Sequence, residues 1–290
     1  MNYRLLGRTG VRVSPLCMGT MTFGDSADET ESEKIFARCR EVGINFFDCA
    51  NGYASGRSEI ILGKLIANCR DEVVITSKSG FPQSDEINNR GSSRRHLQLQ
   101  VEASLKRLNT DRIDVYFIHR FDPDTPIESV VRTLDDLVQQ GKILYPAISN
   151  WAAWQIAKAL GVAAGGGLAR AEVLQPMYSL VKRQAEVEIL PLAQAEGLGV
   201  IPYSPLGGGL LTGKYTTTQK AADGRLVQNK MYAARYGDAY NYEVAEAFTS
   251  YAADKGYAPV TLAVAWVMSH PAITAAIIGA RNLDQLESSL

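Results

Sequence analysis

The sequence predicts a (β/α)8 TIM barrel that spans residues 1–290 as a single domain, and three observations lead to this prediction. Eight short apolar or β-branched runs follow one another along the chain. Helical segments separate these runs, an alternation that is typical of a parallel sheet covered by helices. A length of 290 residues suits one such barrel and does not require a second domain.

The first predicted element is a β-hairpin. Apolar residues in Tyr3 to Leu6 and in Val11 to Val13 lie on either side of a glycine-bearing turn at residues 7–10. We expect this N-terminal hairpin to cap the bottom of the barrel.

The barrel strands follow in chain order. Each is a short run of apolar or β-branched residues with a helical segment before the next run. The eight predicted strands are Leu16–Gly19, Asn45–Asp48, Val73–Ser77, Asp114–Ile118, Tyr145–Ser149, Val173–Gln175, Val200–Tyr203 and Ala275–Ile278.

The predicted helices carry apolar residues at helical spacing along one face. The first has Ile35, Phe36, Cys39 and Val42, and a later one has Leu97, Val101, Leu105 and Leu108. For the fourth helix we predict Thr125 as N-cap, with Pro126 at the first helical position, Glu128 completing a capping box and Gly141 at the end. The glycine-rich run from Ala163 to Gly167 has no strand before it and lacks GxGxxG spacing, so we interpret it as a loop after a helix.

Composition excludes several classes of partner. The chain has 30 Lys and Arg against 31 Asp and Glu, a balance that argues against nucleic acid or an anionic membrane surface. No apolar run is long enough to cross a bilayer, and Met1 to Gly10 lacks the features of a leader peptide. We therefore expect a soluble cytoplasmic protein, monomer or homo-oligomer, that acts on a small molecule.

Metal chemistry is not indicated. The four cysteines, Cys17, Cys39, Cys49 and Cys69, have neither zinc-site spacing nor the pattern of a disulfide framework, and we expect them to be buried or half-buried. There are 3 histidines, and His96 and His270 fall in helical or helix-end sequence far from His119. We predict no metal site.

Polar residues follow three neighbouring strands at the end where barrel active sites lie. Asp48 ends the second predicted strand, Lys78 follows the third and His119 follows the fourth. Tyr53 lies a few residues beyond Asp48, in a loop that contains two glycines. This placement aims an acid, an amine, an imidazole and a phenol at one point.

Each of these four residues also has an ordinary structural interpretation. Asp48 is equally suited to a helix cap, Lys78 to the surface, His119 to the core and Tyr53 to the wall of the barrel mouth. Their joint placement favours chemistry, because a buried Asp and a buried Lys at strand ends are costly unless they pair.

Such a pair would act on the phenol. A nearby ammonium stabilises phenolate, so we expect the pKa of Tyr53 to be lowered from its ordinary value of about 10. A phenol tuned in this way can protonate a carbonyl oxygen while hydride reaches the carbonyl carbon. His119 would donate a second hydrogen bond and orient the carbonyl.

Four segments of the sequence form a recognisable set: Phe46 to Tyr53 with Ser58, Glu59, Leu62 and Gly63; Val74 to Lys78; Ser104 to Leu108 with Asp111, Asp114, Tyr116 and His119; and Ile278 to Asn282 with Gln285, Leu286 and Glu287. Together they resemble the aldo-keto reductase family, over nearly the whole chain. The first is similar to the family's Asp/Tyr signature and the second to its Lys-bearing strand. The third resembles the segment that leads to its His, and the fourth a C-terminal cofactor clamp.

The resemblance implies an oxidoreductase of the aldehyde reductase or alcohol dehydrogenase type. It would reduce aldehydes, ketones or sugar-like carbonyls to alcohols by hydride transfer from NADPH, yielding NADP+. The family's catalytic tetrad would consist of Asp48, Tyr53, Lys78 and His119, with Tyr53 as general acid.

The resemblance also implies cofactor contacts. Ser149, Asn150 and Gln175 would hold the nicotinamide carboxamide, and Tyr203 would stack on the nicotinamide ring. Arg281 would meet the adenosine 2'-phosphate, for which a guanidinium is well shaped, with Gly279 and Gln285 beside it. The loop at residues 204–214 would wrap the pyrophosphate, because its glycines permit close backbone approach, although a flexible surface loop is the alternative. Its contact residues would be Ser204, Leu206, Gly208, Leu211 and Lys214.

The sequence departs from the family pattern at several positions. Ala147 replaces a common Gly, and Ser289 stands where many relatives have an Asn that contacts adenine. Cys49, Asn51 and Gly52 replace commoner residues around Asp48 and are expected to reshape the substrate side.

Aromatic residues are predicted to form the walls of the substrate pocket. The candidates are Phe23, Phe81, Trp151, Tyr232, Tyr236, Tyr240 and Tyr242. The four tyrosines are equally suited to packing within their own loop. Arg120 is suited either to the pocket or to a salt bridge on the rim of the barrel.

Two other functions remain open at this point. One is a Schiff-base aldolase with Lys78 as nucleophile, which would leave Arg281 and the loop at residues 204–214 unexplained. The other is a nucleotide-binding barrel with little turnover, like the channel β subunits that share the family's fold.

Overall fold

The structure, a computed structural model, describes residues 1–218 and 224–290. Within these ranges, eight parallel strands form one curled sheet in the order β10-β3-β4-β5-β6-β7-β8-β9. These strands are β3 Leu16–Gly19, β4 Phe46–Asp48, β5 Val74–Ser79, β6 Ile113–Ile118, β7 Ile143–Ser149, β8 Val173–Gln175, β9 Gly199–Val200 and β10 Ala276–Ile278. Every predicted barrel strand is therefore confirmed, with bounds that shift by a few residues at most.

Backbone hydrogen bonds close the sheet into a barrel. The N–H of Thr274 donates to the carbonyl of Val200 at 2.9 Å, and the N–H of Ile277 donates to that of Pro202 at 3.0 Å. These bonds join the segment around β9 to the segment around β10, the two ends of the strand order. The fold is a (β/α)8 barrel, as predicted.

The N-terminal hairpin lies against the bottom of this barrel. Its strands, β1 (Arg4–Leu5) and β2 (Arg12–Val13), pair antiparallel. Gly7 sits in the left-handed region at φ 56°, and a Cβ there would lie 2.5 Å from the backbone nitrogen of Gly199, the first residue of β9. This close contact at the start of a barrel strand confirms the predicted cap.

Helices cover the outside of the barrel. The described helices are α1 Glu29–Glu41, α2 Arg57–Ile66, α3 Arg94–Leu108, α4 Ile127–Gln139, α5 Ala153–Gly166, α6 Ile189–Glu196, α7 Arg225–Gln228, α8 Lys230–Tyr236, α9 Ala239–Asp254, α10 Pro259–Ser269 and α11 Leu283–Glu287. Short 3-10 turns occur at Tyr53–Gly56, Arg70–Glu72, Gln184–Glu186 and Gly207–Thr212. The predicted apolar faces of the first and third helices are buried, apart from Val42, which is partly buried.

Two local predictions about helices are wrong. The hydroxyl of Thr125 donates to Asp122 at 2.7 Å and does not cap α4, whose N-cap is Pro126 without a side-chain hydrogen bond. Glu128 instead pairs with Lys158 on α5. The run from Ala163 to Gly166 continues α5, and only Gly167, at φ 61°, ends it. Gly141 does follow the end of α4, at φ 70°.

The strands position the site through their alternation. Side chains two residues apart on a strand lie on the same face. If one apolar side chain points into the barrel, the side chain two residues later therefore also points inward. Phe46, Phe117 and Val173 belong to the cluster that fills the barrel. Two residues after each lie Asp48, His119 and Gln175, at the carboxyl end of the barrel.

Candidate active site

Asp48 and Lys78 form a buried ion pair at the carboxyl end of the barrel. Lys78 Nζ lies 2.7 Å from Asp48 Oδ2, and the two side chains are 0% and 3% exposed. The other carboxylate oxygen, Oδ1, accepts hydrogen bonds from Thr76 Oγ1 at 2.6 Å and Gln175 Nε2 at 2.8 Å. The carboxylate thus accepts hydrogen bonds from three donors, and these offset the free-energy cost of burying its charge.

Lys78 uses its remaining donors on the segment after β4. Its Nζ donates to the carbonyl of Cys49 at 2.6 Å and to the hydroxyl of Tyr53 at 3.4 Å. Burial alone would lower the pKa of Lys78, but the charge of Asp48 and the hydroxyl of Tyr53 outweigh it and raise that pKa. A lysine held as ammonium is a poor nucleophile, which argues against the aldolase alternative.

Tyr53 stands at the start of a strained turn. Ala54 and Ser55 both have left-handed backbones, at φ 47° and 56°, a region that costs a non-glycine residue roughly 1–2 kcal/mol. Gly56 follows at φ 89°, and a Cβ there would lie 2.9 Å from Arg107 Cδ. The turn therefore fixes where the chain leaves Tyr53, and so where the phenol points.

The pKa of Tyr53 is raised, contrary to the expectation from its neighbour. Burial raises it to about 12, and the charge of Lys78 lowers it by less than burial raises it. The ammonium acts in the expected direction, but the loss of water around the phenol dominates. Tyr53 therefore carries its proton across the neutral range.

His119 faces the same region in its neutral form. Its backbone N–H donates to the carbonyl of Ser79 at 2.9 Å, which places it directly beyond β5 and β6. Its ring centroid lies 6.3 Å from that of Tyr53 and 4.6 Å from that of Phe81. Burial lowers the pKa of His119 well below its ordinary value, and the charges of Lys78, Arg120 and Arg235 lower it further. The imidazole can therefore donate a hydrogen bond without carrying charge.

One cavity of about 1090 Å³ opens over these residues. Asp48, Tyr53 and His119 line it, while Lys78 is fully buried behind Tyr53. The four residues predicted as a tetrad are thus brought together, and the phenol and imidazole face a common space.

A hydrogen-bonded set of side chains forms one wall of the cavity. Asn150 Nδ2 donates to Ser149 Oγ and to the carbonyl of His119, both at 2.9 Å. Tyr203 OH donates to Asn150 Oδ1 at 2.8 Å, and Ser149 Oγ donates to the carbonyl of Gln175 at 2.9 Å. Asn150, Gln175 and Tyr203 line the cavity, whereas Ser149 is buried behind Asn150.

The glycine-rich loop forms the next wall. Ser204, Leu206, Gly208 and Lys214 line the cavity as predicted. Leu211 does not: its side chain is fully buried in a separate core cluster and its N–H donates to the carbonyl of Leu206 at 3.1 Å. A direct ligand contact from Leu211 is therefore not supported by its position.

The segment after β10 closes the far end of the cavity. Gly279, Arg281, Gln285 and Ser289 all line it. Gln285 Oε1 accepts a hydrogen bond from the backbone N–H of Arg281 at 3.1 Å. The guanidinium of Arg281 takes no part in this hydrogen bond. A Cβ on Gly279 would have no atom within 4 Å, so the backbone there borders open space.

These walls fit a dinucleotide. Within the described residues, the cations Lys214 and Arg281 line the cavity and form no ion pair with a carboxylate. Gly208 has φ 68°, and a Cβ there would approach Tyr232 Cδ1 to 2.7 Å, so the loop needs glycine to keep this shape. A cavity lined by bare glycine backbone and by these two cations is suited to a ligand that carries phosphate groups, such as a nicotinamide dinucleotide.

Several predicted wall residues lie elsewhere. Phe81 and Tyr232 line the cavity. Phe23 and Tyr236 are fully buried, Trp151 packs against Phe121 and Tyr242 packs against Tyr215, while Tyr240 is 72% exposed on α9. Tyr236 and Tyr242 therefore pack within their own loop cluster, which was the alternative for the tyrosines, whereas Phe23 and Trp151 belong to the main core. Arg120 lies over the ring of Phe81 at 5.0 Å on the rim, without an ion-pair partner among the described residues.

Two of the three residues around Asp48 that depart from the family pattern line the cavity. Asn51 and Gly52 line the cavity, and Asn51 Nδ2 donates to Gln100 Oε1 at 2.8 Å. Cys49 is buried, and its carbonyl contacts Lys78. Three cysteines are buried, Cys69 is half-buried, and all four are free thiols.

Sequence reasoning missed two residues of the site. Thr76 holds Asp48, and Arg235 on α8 lines the cavity near Tyr203. Thr76 lies two residues before Lys78 on β5, so the strand alternation was a usable signal. Arg235 follows a long excursion between β9 and β10, and its spacing gives no such signal.

The described part of the chain contains no group of three or more His, Cys, Asp or Glu placed to bind a metal ion. None of its helices combines the length and the apolar character that a membrane span needs.

Comparison with known proteins gives consistent results. The model of the aldo/keto reductase family matches residues 15–290. An uncharacterized oxidoreductase, YrpG, of Bacillus subtilis (strain 168) is 38% identical over 100% of this chain and 90% of its own length. A probable voltage-gated potassium channel subunit beta of Oryza sativa subsp. japonica is 37% identical over 100% of this chain and 90% of its own length. A norsolorinic acid reductase of Aspergillus flavus is 34% identical over 99% of this chain and 76% of its own length. The chain belongs to the aldo/keto reductase family.

Proposed function

We propose that this protein reduces aldehydes or ketones, sugar-like carbonyls among them, to alcohols with NADPH as the hydride donor. One observation carries the proposal: the hydroxyl of Tyr53 ends a hydrogen-bonded series from Asp48 through Lys78 and faces the same cavity as His119. Family membership and the oxidoreductases among the relatives support carbonyl reduction. A cytoplasmic location is part of the proposal and rests on composition alone.

Tyr53 is the proposed general acid. Its pKa of about 12 keeps the phenol protonated, so it can give its proton to the oxygen of a bound carbonyl group. Bound NADPH supplies the hydride that completes the alcohol. The phenolate left on Tyr53 then lies 3.4 Å from the ammonium of Lys78, which stabilises it.

The other residues position and tune this step. Asp48 holds Lys78 as an ammonium, and Thr76 and Gln175 hold Asp48. Neutral His119 donates a hydrogen bond to the carbonyl oxygen and so fixes its orientation. Asn150, Gln175 and Tyr203 would hold the nicotinamide, Ser204, Leu206, Gly208 and Lys214 the pyrophosphate, and Gly279, Arg281 and Gln285 the 2'-phosphate.

The experiment that tests the proposal is a panel of aldehydes, ketones and aldoses followed by the loss of NADPH absorbance. We expect turnover of some members of the panel with NADPH and weaker turnover with NADH. No NADPH oxidation with any carbonyl compound would contradict the proposal.

A nucleotide-binding subunit with little turnover is the second candidate. It is favoured by the relatives from Oryza sativa and Arabidopsis thaliana, each described as a probable voltage-gated potassium channel subunit beta. A tight NADPH complex that reduces no carbonyl compound at a measurable rate would favour this candidate. The complete Asp48, Lys78, Tyr53 and His119 arrangement speaks for turnover instead.

A further inference from the structure

The cavity is unevenly charged. Its charged lining residues are Asp48, Arg107, Lys214, Arg235 and Arg281. Asp48 is neutralised by Lys78, and Arg107 pairs with Glu59 at 2.6 Å. In the described part of the chain, the three remaining cations have no carboxylate partner, so the cavity presents unpaired positive charge.

Two of these cations belong to the dinucleotide end. Arg281 lies after β10, beside Gln285, and Lys214 lies close to Gly209 in the glycine-rich loop. A dinucleotide with its phosphate groups accounts for both. Arg235, the third cation, has no part in the cofactor contacts proposed above.

Arg235 lies at the reaction end. Its guanidinium is 5.9 Å from the ring centroid of Tyr203, whose hydroxyl contacts Asn150, and Asn150 in turn donates to the carbonyl of His119. Its guanidinium is also 5.8 Å from the ring centroid of Tyr232. The positive charge of Arg235 is among the causes that lower the pKa of His119, after burial, Lys78 and Arg120.

We infer that Arg235 binds an anionic group, a carboxylate or a phosphate, on the carbonyl substrate. The guanidinium is half-buried, has no acidic partner among residues 1–218 and 224–290, and lies between two aromatic rings beside the cavity that Tyr53 faces. Such a group is suited to bidentate recognition of a carboxylate or phosphate. Arg120, on the rim over Phe81, adds positive potential on the approach to His119. The inference rests on the proposed function and narrows its substrate class to anionic aldehydes and ketones.

The test uses matched substrates that differ in charge. The carboxylate pair is 4-carboxybenzaldehyde and 4-formylbenzamide, and the phosphate pair is 4-formylphenyl phosphate and 4-methoxybenzaldehyde. For the wild-type enzyme with saturating NADPH, we expect kcat/KM to favour the anionic member of at least one pair by about 10- to 100-fold, the range for a charge-assisted hydrogen bond. The pair that responds tells whether the site takes carboxylate or phosphate.

The variants are Arg235→Gln and Arg235→Lys. Arg235→Gln should remove the preference for the anionic substrate, change kcat/KM for the neutral one by less than about threefold and leave the Kd of NADPH unchanged. Arg235→Lys should restore part of the preference, because it keeps the charge but loses the planar fork. Arg183→Gln is the control, since Arg183 is exposed and pairs with Glu186 outside the cavity.

Three outcomes would overturn the inference or its basis. Equal kcat/KM for both members of each pair in the wild type overturns the inference alone. So does an Arg235→Gln variant that weakens NADPH and slows both substrates equally, which would assign Arg235 to the cofactor. No turnover by the wild type of these four aldehydes or of any member of the wider panel would overturn the proposed function itself.

Discussion

The ammonium of Lys78 lies 2.7 Å from the carboxylate of Asp48 and 3.4 Å from the hydroxyl of Tyr53. One buried cation thereby connects a charge held inside the barrel to a phenol that faces the cavity. The ion pair has a structural role and a chemical one, and these can be separated by experiment.

Asp48→Asn is expected to destabilise the protein. The substitution leaves the ammonium of Lys78 buried without its counter-charge, a change that costs about 3–5 kcal/mol in the free energy of unfolding. Urea denaturation of the variant measures this loss. The double variant Asp48→Asn with Lys78→Met should be more stable than Asp48→Asn alone, because it removes the stranded charge. Equal stability of the wild type and Asp48→Asn would show that the pair carries no such cost.

The stability of the protein should fall as the pH drops below about 6.5. The pKa of His119 is lowered in the folded protein, so below the ordinary value of about 6.5 the unfolded chain binds a proton that the folded protein does not. The expected loss approaches about 1.4 kcal/mol per pH unit for this one group. Denaturation of the wild type and of His119→Gln between mildly acidic and neutral pH measures it by difference. Parallel stability curves for the two proteins would mean that His119 titrates normally.

Arg281→Ala is expected to weaken NADPH much more than NADH. The guanidinium is proposed to bind the 2'-phosphate, which NADH lacks, and a charge-assisted hydrogen bond of this kind corresponds to about 10- to 100-fold in Kd. Fluorescence titration with both nucleotides gives the two Kd values, and Arg183→Ala serves as a control outside the cavity. The same loss for both nucleotides would remove Arg281 from 2'-phosphate recognition.

Gly208→Ala is expected to weaken NADPH by distorting the glycine-rich loop. A Cβ at this position would approach Tyr232 Cδ1 to 2.7 Å, and the backbone has φ 68°. Gly256→Ala is the matched control, because Gly256 has φ 71° but a Cβ there has no atom within 4 Å. Both variants carry the strain of a left-handed alanine, about 1–2 kcal/mol, but only Gly208→Ala should raise the Kd of NADPH. An equal effect of both on NADPH would mean that backbone strain alone is responsible.

The sequence was sufficient for the barrel and for the four central residues of the site. Alternating apolar runs and helices locate the strands, and residues that follow the strands must meet at one end of a parallel barrel. This is why the sequence alone predicts that Asp48, Lys78 and His119 lie together. Tyr53 needed more, because its direction depends on the left-handed turn at Ala54 and Ser55.

Features that depend on which side chains meet in the folded protein could not be predicted in this way. The predicted capping box at Thr125 does not form, because the hydroxyl of Thr125 donates its hydrogen bond to Asp122 in the same loop. Tyr236 and Tyr242 have the composition of pocket residues but are buried in the loop's own core. The direction of the pKa shift of Tyr53 depends on how completely the barrel excludes water around the phenol, and neighbouring residue types do not reveal this.

The measurement that tests the central claim most directly is the turnover of Tyr53→Phe with NADPH and an aldehyde that the wild type reduces. The variant keeps the ring and removes only the hydroxyl. We predict that kcat falls by about 100- to 10,000-fold, while the Kd of NADPH from fluorescence titration stays within about twofold of the wild type. Tyr240→Phe, at a side chain that is 72% exposed on α9, is the control and should match the wild type. A Tyr53→Phe variant with wild-type kcat would contradict the assignment of Tyr53 as the proton donor.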